Sequence, residues 1–255
     1  MFIIDAYGCS DRGKVREVNE DMIGVFPDKR LFVIADGMGG YSNGDKASTV
    51  SVAAVVEYFS DEVLSALSDN IESCRSVMSE AVQYAHGKIL DTKPVMDEGM
   101  LLGSTIIIAF LHETYLHICH VGDSRVYIIN PSGITQLTDD HSTVGNLVRM
   151  GKLSPQEARV SPLRNEVSQA LGSPSGIRPD YRRQPLCDGD TVLLCTDGLW
   201  EMVDDRLILE FFRTGGKLEQ CCSALINAAN TAGGEDNISV IAVKVEESNM
   251  VSSID

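Results

Sequence analysis

The chain has 255 residues, 44% of them hydrophobic and 23% charged, which is enough for one large domain or two small ones with a sizeable core. Its formal net charge of -16 argues against nucleic acid or an anionic membrane as the main partner, because both require a basic face. We expect no signal peptide, and no apolar run reaches the roughly 20 residues of a membrane helix. Seven cysteines, an odd number without a Cys-x-x-Cys pair, favour a reducing cytoplasm.

The first third of the chain predicts a hairpin followed by two helices. Apolar runs at 22–26 and 31–35 are joined by Pro27-Asp28-Lys29-Arg30, which is a turn sequence. The pattern becomes helical from residue 45 to about residue 66, and its apolar side is wide enough to pack on a sheet. A second helix is predicted over 71–90.

Strands then follow one another with short turns between them, and connections this short join only antiparallel neighbours. Residues 138–185 are polar and predict a loop region with short helices near 142–150 and after Pro155. Strands cluster with strands and helices with helices, which indicates an α+β fold with antiparallel sheets faced by helices. The predicted strands are 105–111, 115–121, 125–129, 134–137, 191–196 and 238–245, and the later helices are 204–212 and 218–229.

Five aspartates each occupy a turn beside a strand-like run, namely Asp21, Asp36, Asp123, Asp197 and Asp236. They lie far apart in sequence, so the fold must gather them if they act together. Gathered carboxylates repel one another, and burying them without a counter-charge is costly. Hard divalent cations resolve that conflict because Mg²⁺ and Mn²⁺ prefer oxygen ligands, and a cluster of such cations can bind phosphate.

Asp36 and Asp197 are the strongest candidates because each follows a buried apolar run and precedes a glycine. The carbonyl of Gly37 could bind a cation, and Arg16 could clamp two phosphate oxygens. A plain turn is the competing interpretation for any one Asp-Gly pair, and we assign Asp188-Gly189-Asp190 to it. The segment 39–44 nearly fits a nucleotide-binding loop, but Asp45 replaces the lysine and would repel phosphate.

The histidines give weaker evidence of a functional site than the aspartates do. His117 and Cys119 share one face of a predicted strand and His120 lies on the other, so this run does not predict a metal cluster. His141 precedes the loop region and could act as an acid or order that loop. No nucleophile elbow or Ser/His/Asp set is present.

Eight segments, taken together and in order, resemble the metal-dependent protein phosphatase family, type 2C (PPM), in its bacterial serine/threonine branch. The resemblance covers nearly the whole chain. The segments are GKVREVNED (13–21), DGMGG (36–40), GST (103–105), VGDSR (121–125), LTDDHS (137–142), ALG (170–172), TDGLW (196–200) and GGEDNI (233–238).

The resemblance implies a four-layer α-β-β-α sandwich, with two central antiparallel sheets flanked by helices. It also implies a single catalytic domain over 1–255 with a flap at about 142–170 that contacts substrate. Two Mn²⁺ or Mg²⁺ ions would be bridged by Asp36, with the carbonyl of Gly37 on one ion and Asp197 and Asp236 on the other.

The remaining site residues also follow from the resemblance. Glu20 and Asp21 would act from the edge of the site, partly through metal-bound water, and Arg16 would hold the substrate phosphate. Asp123, together with Asp197, would provide a weaker third metal site.

The implied reaction is hydrolysis of phosphoserine and phosphothreonine in proteins by a water or hydroxide that bridges the two cations. Met38 stands where many eukaryotic members have a histidine that protonates the leaving group, so metal-bound water or His141 must supply that proton. Gln169 replaces the arginine that is common before Ala-Leu-Gly. The alternatives are a phosphohydrolase for other phosphoesters and a non-catalytic pseudophosphatase, which the retained carboxylates and Arg16 disfavour.

The expected partners are phosphorylated proteins, including a serine/threonine kinase and its targets, with no nucleic acid and no membrane. We expect a cytoplasmic monomer.

Overall fold

The structure, a computed structural model, describes residues 2–39, 43–67, 70–92 and 102–247. Two antiparallel sheets form its centre. The first has the strand order β1 (Phe2–Asp11), β11 (Ile238–Glu247), β10 (Thr191–Cys195), β7 (Arg125–Asn130) and β8 (Gly133–Gln136). The second has the order β2 (Asp21–Phe26), β3 (Leu31–Gly39), β5 (Ile106–His112), β6 (Tyr115–Val121) and β9 (Asp180–Pro185), and β4 (Leu102–Ser104) pairs with the end of β3.

Helices cover the outer face of each sheet. The second sheet carries α1 (Gly44–Tyr58), α2 (Asp61–Ala66) and α3 (Ile71–Thr92), whereas the first carries α6 (Asp197–Trp200), α7 (Asp205–Arg213) and α8 (Leu218–Ala232). The short helices α4 (Thr143–Arg149) and α5 (Pro155–Arg159) belong to the segment between β8 and β9. A third apolar cluster, which includes Phe32, Ile107 and Ile241, fills the space between the two sheets. The expected four-layer α-β-β-α sandwich is therefore confirmed.

The short elements β4 and α6 were not predicted, and three longer elements also differ from the sequence-based expectation. The helix predicted over 45–66 is two helices, because the chain leaves helical geometry at Phe59 and Ser60 caps α2 by accepting the Val63 N–H at 3.4 Å. The strand β1 was not predicted, because most of its side chains are only partly buried and show no clean alternation. The strand β9 lies in the polar region 138–185, which predicted loops and two short helices but no strand, and its side chains are largely exposed.

Strand register explains how distant aspartates meet. Asp21 and Asp36 are directly opposite each other in the β2–β3 ladder. In the first sheet, Cys195 at the end of β10 pairs with both Arg125 at the start of β7 and Val240 near the start of β11. The turns before β7, after β10 and before β11 therefore lie at the same edge of that sheet. Among the described residues, no helix is both long and apolar enough to cross a bilayer.

Candidate metal centre

A cleft of about 640 Å³ lies where these strand ends meet. Its described lining includes Asp36, Asp123, Asp197 and Asp236, together with Arg16. The structure thus brings four of the five predicted aspartates to one surface. Glu20, Gly37 and Met38 complete the part of the lining that the sequence had indicated.

The carboxylates of Asp36 and Asp197 are surrounded by other carboxylates. Burial raises the pKa of Asp36 well above its usual range, and the neighbouring charges of Asp21 and Asp197 raise it further. Burial, followed by the charges of Asp123 and Asp236, raises the pKa of Asp197 in the same way. Among the described residues, the buried Oδ1 of Asp197 has no hydrogen-bond partner. Divalent cations fit these residues, because they supply the missing positive charge and bind free carboxylate oxygens.

Asp21 lies behind the cleft rather than among its lining residues. Its Oδ2 accepts hydrogen bonds from the hydroxyls of Thr196 at 2.9 Å and Ser239 at 2.7 Å. Burial raises the pKa of Asp21 to about 7 even though both hydrogen bonds oppose that shift. Its Oδ1 has no partner within the described part of the chain. Asp21 therefore adds negative charge directly behind Asp36.

Asp123 is 4% exposed, and burial followed by the charge of Asp140 raises its pKa to about 7. Its backbone carbonyl accepts a hydrogen bond from Nε1 of Trp200 at 3.1 Å. The preceding Gly122 has a φ of 112°, and a Cβ there would lie 2.5 Å from the Thr105 side chain. The turn that presents Asp123 consequently requires glycine at position 122.

The backbone of Gly37 approaches its neighbours more closely than any side chain would permit. Its N–H donates to the carbonyl of Glu20 at 3.1 Å, and a Cβ on Gly37 would lie 2.0 Å from the carbonyl oxygen of Gly44. The Glu20 carboxylate accepts the N–H of Gly44, the first residue of α1, at 3.0 Å. Glu20 therefore connects the metal cleft to the start of α1.

Arg16 lies beside Asp236, with Nη2 2.7 Å from Oδ2 and about half of its side chain exposed. The loop that carries Arg16 is held by Asn237, whose Nδ2 donates to the carbonyls of Arg12 and Val18, both at 2.9 Å. The Oδ1 of Asn237 accepts the N–H of Glu20 at 2.8 Å. Asn237 was part of a quoted motif, but no sequence signal assigned it this role.

The segment 142–170 forms one wall of the cleft through Thr143, Asn165, Glu166 and Val167. Its two ends are tied together, since the N–H of Thr143 donates to the carbonyl of Glu166 at 2.8 Å. The predicted helices near 142–150 and after Pro155 are confirmed as α4 and α5.

His141 lies outside the described lining of the cleft and stacks on His120, with ring centroids 4.7 Å apart. Its Nδ1 accepts the N–H of Gly122 at 3.3 Å and its Nε2 contacts Asp180 at 3.1 Å. His120, His141 and Asp180 offer ligand atoms within 4.8 Å of one another. A neutral His141 that accepts at Nδ1 carries its proton on Nε2, so it cannot bind a cation through Nε2 without losing that arrangement. Through the hydrogen bond from Gly122 to His141, these three residues instead hold the turn before Asp123 in place.

Comparison with known proteins places this chain in a family. A family model described as protein phosphatase 2C matches residues 12–233. The chain is 35% identical over 244 residues to the serine/threonine phosphatase stp of Listeria monocytogenes, covering 92% of this chain and 93% of that protein. The crystal structure of the Mycobacterium tuberculosis serine/threonine phosphatase PstP/Ppp matches with a TM-score of 0.85 and 31% identity, covering 97% of this chain and 100% of that one. A PstP catalytic domain in complex with two manganese ions matches with a TM-score of 0.82 and 30% identity over the same shares.

These matches define the class of protein as a metal-dependent protein serine/threonine phosphatase of the bacterial PPM type. The chain belongs to the protein phosphatase 2C family. The family resemblance stated from the eight sequence segments is thereby confirmed.

Proposed function

We propose that this chain hydrolyses phosphoserine and phosphothreonine in proteins at a pair of divalent cations held by Asp36, Asp197 and Asp236. The observation that carries the proposal is that burial and neighbouring carboxylates raise the pKa of both Asp36 and Asp197, while Oδ1 of Asp197 lacks a partner within the described chain. Manganese is supported as a natural ion by the two manganese ions of the PstP catalytic domain, and magnesium by the all-oxygen character of the ligands.

Further ligands are proposed around this centre. The carbonyl of Gly37 would bind one ion, and Glu20 and Asp21 would contribute negative charge from the side and from behind. Asp123, with Asp197, would hold a third ion more weakly. Burial and the charge of Asp140 raise the pKa of Asp123 to about 7, which supports this role because a cation would stabilise its ionised form.

When bound, the cations activate water at neutral pH and neutralise charge on the phosphoryl oxygens. Arg16 is placed to bind the substrate phosphate, because its guanidinium lines the cleft and has N–H groups beyond the one that contacts Asp236. Met38 lines the cleft but has no proton to donate to the leaving group, and His141 lies outside the described lining. The roles left to the protein's own side chains are to orient the phosphate and to position the cations.

The segment 142–170 is proposed as a flap that contacts the protein substrate, within a single catalytic domain over 1–255. Its supporting observation is that Thr143, Asn165 and Glu166 line the same cleft as Asp36. A kinase must supply the phosphoester, so a serine/threonine kinase and its targets are the proposed partners. An odd number of cysteines without a Cys-x-x-Cys pair supports action in a reducing cytoplasm, and one chain supplies every proposed ligand, as a monomer would require.

The experiment that tests the metal centre compares Asp36→Asn and Asp236→Asn with the exposed control Asp28→Asn. Both site variants should lose Mn²⁺-dependent hydrolysis of p-nitrophenyl phosphate, by about 10² or more, because each removes a ligand charge. They should also lose Mn²⁺ binding measured by calorimetry, while circular dichroism stays unchanged. Full activity and unchanged Mn²⁺ binding in either site variant would refute the two-metal assignment.

The role of Arg16 is tested separately by Arg16→Ala and Arg16→Lys. We expect Arg16→Ala to raise KM for a phosphopeptide by about 10-fold or more, because a charge-assisted hydrogen bond to phosphate is lost. Arg16→Lys should recover part of the loss, since it keeps the charge without the two-pronged geometry. An unchanged KM in Arg16→Ala would remove Arg16 from phosphate binding.

A further inference from the structure

A pocket of about 370 Å³, with no charged side chain among its described lining residues, lies beside the cleft of Asp36 and Asp197. One wall is the end of β3, at Met38 and Gly39, together with Leu102 and Gly103 of β4. The other wall is the segment 167–174, which follows the proposed flap. This side pocket has no role in the chemistry described above.

The side pocket adjoins the cleft lined by Asp36 and Asp197. Met38, Gly39 and Val167 line both spaces. A peptide whose phosphorylated residue lies in the cleft would therefore pass the mouth of the side pocket with its adjacent residues.

The walls of the side pocket are held in place by the fold. Ser104 and Leu171 exchange backbone hydrogen bonds at 2.8 and 3.3 Å, which joins β4 to the segment 167–174. Gln169 is also fixed, because its Oε1 accepts the N–H of Arg178 at 2.9 Å. A Cβ at Gly103 would lie 3.3 Å from Cγ of Met38 and 3.8 Å from Cβ of Ala170, so glycine at this position keeps part of the pocket open.

The chemistry of the side pocket contrasts with that of the cleft. None of its described lining residues is Asp, Glu, Lys, Arg or His. The cleft, in contrast, is lined by charged residues that include Arg16, Asp36 and Asp197. A charged side chain entering the side pocket would lose water without gaining a partner, whereas an apolar side chain would gain from burial.

We propose that the side pocket binds the apolar side chain of a substrate residue that flanks the phosphorylated serine or threonine. This inference rests on the proposed function of the adjoining cleft. Its volume lies at the low end of the range for ligand pockets, about 300–1,000 Å³, which suits one or two side chains. The side pocket therefore determines which phosphorylation sites the enzyme prefers.

The first test uses the wild-type protein with Mn²⁺ and phosphothreonine peptides that differ at one flanking position. Each of the two positions on either side of the phosphothreonine carries Leu, Asn, Lys or Gly in turn. Leucine and asparagine are neutral and similar in shape, so their comparison removes the effect of charge. At one position we expect kcat/KM for Leu to exceed that for Asn and Lys by about 10-fold or more, which is the scale of discrimination by a hydrophobic pocket.

Attraction by the acidic protein, whose net charge is -16, would instead rank Lys above both neutral residues. That ranking at all four positions, or equal kcat/KM for Leu and Asn at all four, would overturn the proposal. If the protein hydrolyses p-nitrophenyl phosphate but none of the phosphopeptides, the proposed activity on phosphorylated proteins is refuted, and the side-pocket proposal falls with it. Hydrolysis of the peptides without a preference for Leu rejects the side pocket alone.

The second test assigns the preference to this pocket. Ala170→Leu should fill it, and Ser168→Asp should place a charge at its exposed rim, so both should reduce the Leu-to-Gly ratio of kcat/KM toward one. Ala53→Leu adds the same side chain at an exposed position of α1 and should keep the wild-type ratio. Because Ser168 is exposed, Ser168→Asp is informative even if Ala170→Leu folds poorly. A wild-type ratio in Ser168→Asp and in folded Ala170→Leu would place the preference elsewhere and overturn the assignment.

Discussion

Asn237, one of the residues that line the cleft, shows how a single side chain can organise the loop that carries Arg16. It binds the backbone of Arg12, Val18 and Glu20, and these residues bracket the loop that carries Arg16. The adjacent Gly13 has a φ of 79°, and a Cβ there would lie 2.2 Å from the carbonyl oxygen of Asp236. The loop is therefore packed closely against the turn that presents Asp236.

We expect Asn237→Ala to lower the free energy of unfolding by about 2–3 kcal/mol, because three hydrogen bonds of about 1 kcal/mol each are lost. The KM for a phosphopeptide should rise as well, since the loop that carries Arg16 loses its anchor. Urea denaturation and steady-state kinetics measure the two effects, with the exposed Asn227→Ala of α8 as control. If Asn237→Ala matches the control in both measurements, the hydrogen bonds do not hold the loop.

At the scale of single residues, the sequence indicated the carboxylates of the site but not the residues that hydrogen-bond to them. Asp36 and Asp197 were recognisable because each follows an apolar run and precedes a glycine. Thr196 belongs to a quoted motif and Ser239 follows another, but no sequence pattern indicated that both donate to Asp21. Their role depends on the register of strands that are far apart in the chain, and no local pattern carries that information.

At the scale of elements, Arg125 joins the start of β7 to the entry of the proposed flap. Its guanidinium makes a two-pronged contact with Asp140, from Nε at 3.0 Å and from Nη2 at 2.7 Å, and stacks 3.6 Å from the ring centroid of Trp200. The carbonyl of Asp140 in turn accepts from Arg149, the last residue of α4. The ion pair between Arg125 and Asp140 is 14% and 10% exposed.

Arg125→Ala should therefore destabilise the protein by about 3–5 kcal/mol, because it leaves the buried charge of Asp140 without its partner. Arg125→Lys should lose less, since the charge remains although the two-pronged contact and the stacking are weakened. The measurement is urea denaturation, with the highly exposed Arg206→Ala as a control expected within about 0.5 kcal/mol of wild type. Equal stabilities for Arg125→Ala and the control would mean that the ion pair contributes nothing.

Two strands that sequence reasoning missed, β1 and β9, share one physical feature. The β9 side chains are mostly exposed, so the strand is held by its backbone pairing with β6 rather than by an apolar face. The β1 strand pairs with β11 over ten residue pairs, yet few of its side chains are fully buried. These two edge strands therefore lack the alternation on which the prediction depends, whereas the buried β5, β6 and β10 were predicted from their apolar runs.

At the scale of the whole molecule, the buried carboxylates make stability depend on both pH and metal. An unfolded aspartate has a pKa of about 3.9, whereas burial raises the pKa of Asp21 and Asp123 to about 7. Between these values the folded chain holds more protons than the unfolded chain. The free energy of unfolding of the metal-free protein therefore falls as pH rises from about 4 to about 7.

Divalent cations should reverse this loss, because they replace the protons as the counter-charge and bind only the folded arrangement of carboxylates. We expect the difference in melting temperature between Mn²⁺-loaded and EDTA-treated protein to be larger at about pH 8 than at about pH 5, by roughly 3 °C or more. Scanning calorimetry measures it. Asp36→Asn removes one buried charge and should show a weaker pH dependence in EDTA, whereas Asp28→Asn, at an exposed turn, should follow wild type. A difference between Mn²⁺ and EDTA that does not grow with pH would show that the carboxylates are already balanced without metal.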